Sequence, residues 1–288
     1  GSEMCIRDSA DLVLATDPDA DRLGVYAKNT KTGEYQSFTG NMSGMLILEY
    51  ILSQRKEQGT LPENGAVVTT IVSGKMSKEI AKDYGMTLIE TLTGFKYIGE
   101  QIKFFEQKQD YEYVFGYEES YGCLVGTHAR DKDAVAAVMA LCEVAAYCRH
   151  QGITLCDQME NLFQKYGYYQ EGPCTVTLKG QEGAKKIQSM MEQIRENIPE
   201  KVGGLKVMRF RDYREDIVKD CVTGVQTVTG LPKSNVLYFE LENEAWCCIR
   251  PSGTEPKIKF YIGVKGTSDA DAAEKRKVLT KAVESLAE

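Results

Sequence analysis

The stretch A-V-V-T-T-I-V-S-G-K-M-S-K-E-I-A-K-D-Y-G-M-T-L-I-E, residues 66–90, decides the fold. Ala66–Val72 is a short β-branched run, Lys75–Tyr84 places apolar residues at helical spacing, and Thr87–Glu90 is apolar and β-branched again. The alternation continues with a helix predicted over Phe95–Gln107, a strand over Tyr113–Gly116 and an Ala-rich helix from Asp133 to His150. A further helix is predicted over Leu155–Tyr166. Strands separated by helices of this length build right-handed βαβ units, so the expected class is α/β with a parallel or mixed sheet.

Upstream, the polar, Gly/Pro-bearing stretch Gln58–Gly65 reads as a boundary. Before it, Ala10–Thr16 reads as a buried strand running into an acidic loop, Asp17–Arg22, followed by a strand at Leu23–Lys28 and a helix at Ser43–Arg55. Residues 1–9 lack periodicity and read as a non-native leader. Downstream of Tyr166 the texture changes. Strands are predicted at Cys174–Leu178, Leu205–Phe210, Val236–Leu241, Ala245–Ile249 and Lys257–Val264, with helices at Ala184–Asn197 and Ser268–Leu286. Consecutive strands with helices to one side predict a C-terminal α+β domain. Breaks in the chain are therefore expected within Gln58–Gly65 and after Tyr166.

Composition narrows the function. The 288 residues, 42% hydrophobic and 27% charged, are those of a globular protein. Lys and Arg total 35 against 42 Asp and Glu, a formal charge of −7, which argues against nucleic acid while leaving room for a local basic pocket. The most apolar helical candidate, around Val135–Cys148, is interrupted by Glu143, so no membrane partner is expected. Nine cysteines include no C-x-x-C pair, and His128 and His150 lack zinc-type spacing. Free thiols of this kind fit a reducing cytoplasm.

Five loops carry chemistry. In Asp17-Pro18-Asp19-Ala20-Asp21-Arg22, three carboxylates at alternate positions can converge on one hard cation. An EF-hand is excluded, because its sixth position would be Arg22 and its twelfth Lys28. A phosphorylated Asp nucleophile fits poorly with Asp21 in the loop, and a solvated acidic turn is the remaining alternative. Gly116-Tyr117-Glu118-Glu119-Ser120-Tyr121-Gly122 follows a strand, at the end where open α/β sheets bind ligands. Glu118 and Ser120 point the same way if the chain stays extended, a pairing suited to sugar hydroxyls; the alternative is a Gly-flanked loop of surface glutamates.

Thr127-His128-Ala129-Arg130-Asp131-Lys132-Asp133 places alternating cations before the Ala-rich helix, with Asp131 or Asp133 available to cap it. Arg250-Pro251-Ser252-Gly253-Thr254-Glu255-Pro256-Lys257 combines a glycine turn, hydroxyls and a guanidinium, which suit a phosphate; a plain Pro/Gly hairpin is the alternative. Thr93-Gly94-Phe95-Lys96 opens a helix, whose N-terminus suits ligand oxygens.

In combination and in this order, the motifs resemble the α-D-phosphohexomutase superfamily, phosphoglucomutase branch. D-P-D-A-D-R resembles its metal loop, T-G-F-K and Y-E-E-S-Y-G its sugar-selecting loops, and R-P-S-G-T-E-P-K its phosphate loop. H-A-R-D-K-D is similar to the segment that follows the sugar loop in glucose-specific members. The resemblance implies that Asp17, Asp19 and Asp21 hold Mg2+ and that Arg22 lies beside the transferring phosphate. It implies that Glu118 and Ser120, with Thr93 and Gly94, bind the sugar. Arg250, Ser252, Gly253 and Thr254 would grip the phosphate not being transferred, while Lys132, with His128, would serve transfer electrostatics or proton movement. The implied ligands are glucose 1-phosphate, glucose 6-phosphate and glucose 1,6-bisphosphate.

The family has four domains, with a phosphorylated serine in a T-A-S-H-N-P loop of the first. No such stretch occurs in these 288 residues. The resemblance then makes 10–57 the end of domain two, 58–166 domain three and 167–288 domain four, inactive as a piece. Phosphomannomutase, phosphopentomutase or a non-catalytic sugar-phosphate module are the alternatives; Glu118-Glu119-Ser120 resembles the glucose type.

Overall fold

A computed structural model describes residues 10–178, 180–252 and 257–286, and the chain divides between Tyr166 and Gly167 into two units. The first begins with an antiparallel sheet of β1 (Leu12–Thr16), β2 (Leu23–Lys28) and β3 (Tyr35–Phe38), in that order. The apolar run predicts a buried β1, but residues 12–14 are half-buried and Ala15 and Thr16 are exposed, because β1 lies at the edge of this sheet. Helix α1 (Gly40–Glu57) starts three residues before the predicted Ser43. Thr39 caps it, its Oγ1 accepting the Met42 N–H at 3.2 Å, and this cap outweighs the poor helix propensity of Gly40 and Asn41.

The decisive stretch folds as expected. β4 (Gly65–Thr70), α2 (Met76–Asp83), β5 (Thr87–Thr91), α3 (Phe95–Lys108) and β6 (Glu112–Tyr117) form two βαβ units. A short antiparallel strand, β7 (Cys123–Val125), completes the order β5-β4-β6-β7, so the sheet is mixed. β4 is flanked on both edges and all six of its residues are buried, which is why its sequence is a continuous apolar run rather than an alternating one. Phe95, Ile98, Ile102 and Phe105, spaced three and four apart along α3, pack against Ala66, Val68, Tyr113 and Leu124. Helices α4 (Ala134–His150) and α5 (Leu155–Tyr166) complete the unit.

The second unit is an antiparallel sheet of eight strands. These are β8 (Tyr168–Thr177), β9 (Lys201–Val202), β10 (Leu205–Asp212), β11 (Ile217–Asp220), β12 (Gln226–Thr227), β13 (Leu237–Leu241), β14 (Trp246–Pro251) and β15 (Lys257–Gly266). The order is β12-β11-β10-β13-β14-β15-β8, with β9 paired to β10. Ile187, Met190, Met191 and Ile194 of α6 (Gly180–Glu196) share one core with Leu279 and Val283 of α7 (Asp269–Ser285) and with Leu237, Phe239, Cys247, Ile249, Phe260 and Ile262 of the sheet. β8 is twice the predicted length and runs through Gly172-Pro173. As the edge strand it pairs on one side alone, with β15, so the missing Pro173 N–H leaves the ladder intact. Among the described residues, no helix is long and apolar enough to cross a membrane.

Candidate active site

β1 delivers the acidic loop. Asp17 Oδ1 accepts the backbone N–H groups of Asp21 at 2.8 Å and Arg22 at 2.9 Å, curling the loop back on itself. These bonds, led by that from Arg22, hold the Asp17 carboxyl below its ordinary pKa. Asp17, Asp19 and Asp21 each offer a carboxylate oxygen, and the three oxygens lie within 4.8 Å of one another. Hard oxygen donors at that span suit one Mg2+, whose Mg–O distance of about 2.1 Å needs only a small closing of the side chains. Arg22 Nε stands 4.0 Å from Asp17 Oδ2 and 3.9 Å from Asp21 Oδ2, with its side chain 55% exposed.

β6 delivers the second loop. Glu118 is buried, and its Oε1 accepts the Ser120 hydroxyl at 2.7 Å. The chain does not stay extended here: the Glu118 N–H donates to the Gly122 carbonyl at 2.9 Å, and the resulting turn brings the two side chains together. Glu119 turns the other way and accepts the Thr70 hydroxyl at 3.0 Å, at the end of β4. The N-terminus of α1 lies directly beneath. A Cβ on Gly40 would sit 2.4 Å from the Glu119 carbonyl oxygen and 2.5 Å from the Tyr121 nitrogen. Gly40 is therefore required by close approach, a role that the sequence reading missed.

The alternating cations between Thr127 and Asp133 separate. Arg130 turns to Glu106 at 2.6 Å. His128 Nε2 lies 2.8 Å from Asp133 Oδ2, while Asp133 Oδ1 caps α4 by accepting the N–H groups of Val135 and Ala136. Lys132 alone of the three reaches the acidic loop, with Nζ 3.1 Å from Asp21 Oδ2 and 2.8 Å from Asp131 Oδ1. Burial opposes its charge, but the bonds to Asp131 and Asp21 and the nearby Glu118 carboxylate outweigh it and raise the Lys132 pKa. Thr93 and Gly94 are half-buried at the start of α3, Gly94 at φ +114°, a conformation that L side chains rarely adopt.

In the second unit, Arg250 lies within β14 opposite Lys259, and the Ser252 N–H donates to the Lys257 carbonyl at 2.8 Å across the hairpin. Arg250 and Ser252 are half-buried. Gly253 and Thr254 lie outside the described residues.

Known proteins match this arrangement. The family described as phosphoglucomutase/phosphomannomutase, alpha/beta/alpha domain III, matches residues 39–166. A phosphoglucomutase of Staphylococcus aureus (strain MRSA252) is 37% identical over 273 residues, covering 95% of this chain and 48% of that protein. Among solved structures, a putative phosphomannomutase from Thermus thermophilus aligns with a TM-score of 0.57 at 18% identity, over 97% of this chain and 48% of that one. An Aspergillus fumigatus N-acetylphosphoglucosamine mutase, solved with GlcNAc-6P and magnesium, aligns with a TM-score of 0.53 at 14% identity, over 100% of this chain and 53% of that one. The chain spans about half the length of the curated relatives it matches. The mixed sheet, the motif order and the relatives agree: residues 39–166 match phosphoglucomutase/phosphomannomutase domain III, and the chain as a whole is similar to phosphoglucomutases.

Proposed function

We propose that this chain supplies the metal, sugar and distal-phosphate loops of a phosphoglucomutase that interconverts glucose 1-phosphate and glucose 6-phosphate through a phosphoserine and a 1,6-bisphosphate. One observation carries the reading: within one unit, Lys132 joins the carboxylate cluster of Asp17, Asp19 and Asp21 to the loop that holds Glu118 against Ser120. Asp17, Asp19 and Asp21 hold Mg2+, which when bound offsets negative charge on the transferring phosphoryl oxygens. Arg22 and Lys132 place positive charge beside that group. Glu118 and Ser120 hold two adjacent sugar hydroxyls, so the ring can be gripped with either of its phosphates toward the metal loop. Arg250 and Ser252, with Gly253 and Thr254, bind the other phosphate.

The family match over residues 39–166 supports reading the segment that ends at Tyr166 as domain three, but it begins at Thr39 and so includes α1, ahead of the expected start at 58. The magnesium in the Aspergillus relative's structure supports Mg2+ as the cation. Cys123, Cys142 and Cys148 form no disulfide among the described residues, which supports a reducing, cytoplasmic setting.

Titration calorimetry with glucose 1,6-bisphosphate in the presence of Mg2+ tests the reading. The chain is expected to bind, and Glu118→Gln to weaken binding about 10-fold or more, the usual cost of losing hydrogen bonds to a charged group. Equal affinity in both proteins would count against the sugar loop. Because no T-A-S-H-N-P stretch is present, a coupled assay should find no mutase turnover by the chain alone.

A further inference from the structure

Three loops of the first unit meet on one side chain. Lys132 Nζ lies 3.1 Å from Asp21 of the acidic loop, 2.8 Å from Asp131, and 5.4 Å from the ring centre of Phe95 in the T-G-F-K loop. Its stem crosses Gly122 of the sugar loop so closely that a Cβ there would lie 2.0 Å from Lys132 Cδ and 3.1 Å from Glu118 Oε1. The frame around it is fixed by the backbone. The Leu23 N–H donates to the Tyr121 carbonyl at 3.2 Å and the Ala134 N–H to the Ala20 carbonyl at 2.9 Å, so the two loops hold their spacing around the ammonium head. The Lys132 side chain is 12% exposed, so solvent ions screen its charge weakly.

An ammonium ion and a divalent cation cannot both sit against one carboxylate without strong repulsion. We infer that Lys132 couples the acidic loop to the sugar loop: its ammonium competes with a divalent cation for Asp21, and a cation that takes Asp21 turns that ammonium toward Glu118 and an anionic sugar ligand. Cation and sugar phosphate then bind cooperatively, and by thermodynamic linkage each strengthens the other by the same factor. The inference rests on the metal-loop reading above but names a role for Lys132 that does not depend on turnover. Arg22, the other cation near Asp21, is 55% exposed at 3.9 Å and can move into water, so it competes far less.

The experiment is titration calorimetry of the full 288-residue chain with Mg2+, at fixed ionic strength, with and without glucose 1-phosphate. Lys132→Met and Lys132→Gln are expected to bind Mg2+ about 5-fold or more tightly than wild type, the lower end of measured coupling factors, while Lys132→Arg stays near wild type. In the wild type, saturating Mg2+ should tighten glucose 1-phosphate binding, and in both neutral variants that enhancement should shrink several-fold. Using two neutral side chains guards against one of them misfolding. Unchanged or weaker Mg2+ binding in the neutral variants overturns the inference, as does an equal gain from Arg22→Met, which would mean general charge rather than contact with Asp21. Absence of Mg2+ binding in every protein also overturns it. If Mg2+ behaves as expected but no protein binds glucose 1-phosphate, the competition for Asp21 stands and the sugar-phosphate reading falls.

Discussion

Two residues that are not glycine hold the site together from a left-handed backbone. Ala20, in the acidic loop, has φ +54°, and Tyr121, in the sugar loop, has φ +72°. Each costs on the order of 1 kcal/mol in that conformation. Their carbonyls are the ones that link the loops, Ala20 accepting from Ala134 and Tyr121 from Leu23. The unfavourable φ turns each carbonyl outward from its own loop and onto the neighbouring segment. Ala20→Gly should therefore keep the link and stabilise the chain by up to about 1 kcal/mol, while Ala20→Val should destabilise it by about 1–2 kcal/mol. Urea unfolding of the three proteins gives both numbers. Equal losses in the two variants would mean that φ at this position is not what holds the link. The candidate metal ligands of this loop were legible, because alternating Asp residues have few other uses. Ala20 was not, because alanine carries no mark of positive φ as Gly or Asn does. The same holds for Lys132: its charge was readable, but which of three alternating cations reached Asp21 depended on how the loop folds over Gly122.

At the scale of elements, long periodic segments were readable and short polar ones were not. The two βαβ units stand where their apolar patterns placed them, since a buried parallel strand such as β4 has no solvent face to dilute its sequence. β3, β7, β11 and β12 were invisible, being two to four residues long with pairing partners that lie elsewhere. The start of α5 shows how much a local motif can do. Thr154 Oγ1 accepts the Asp157 N–H at 3.1 Å, and Asp157 Oδ2 accepts the Thr154 N–H at 3.0 Å, a reciprocal capping box. Lys31, from the turn between β2 and β3, lies 2.7 Å from the other Asp157 oxygen. The Lys31 bond, then those from Thr154, depress the Asp157 carboxyl from 3.8 to about 2. A carboxyl depressed on folding stabilises the native state above its unfolded pKa, and that contribution fades as pH falls through the folded one. The loss should fall between about pH 4 and pH 2. Thermal melts of wild type and Asp157→Asn at about pH 5 and about pH 2.5 check this, and the gap in melting temperature is expected to narrow on acidification. A gap that stays constant would show that the ionised carboxylate does not anchor the helix.

For the whole molecule, the question is which parts stand alone. The chain passes from one unit to the other between Tyr166 and Gly167, where the sequence turns from alternating strands and helices to consecutive strands. The second unit has its own core, in which both of its helices cover the sheet through Met191, Ile194, Leu279, Val283 and Phe260. A domain of this size buries enough apolar surface to fold without its neighbour, so residues 167–288 produced alone should unfold in one cooperative urea transition. Their cysteines supply an internal readout. Cys247 and Cys248 are buried in β14, and burial pushes the Cys247 thiol up to about 12, leaving almost no thiolate to react. Cys174 and Cys221, half-buried nearer the surface, are the accessible pair, although burial and the Glu284 carboxylate push the Cys174 thiol up to about 11 and slow its reaction. With an aromatic disulfide reagent in native buffer, the isolated unit should therefore expose two thiols and hold two in reserve. The second pair should appear only along the urea transition measured by circular dichroism. If all four react at once without urea, the sheet has not closed over β14, and the second unit needs the first in order to fold.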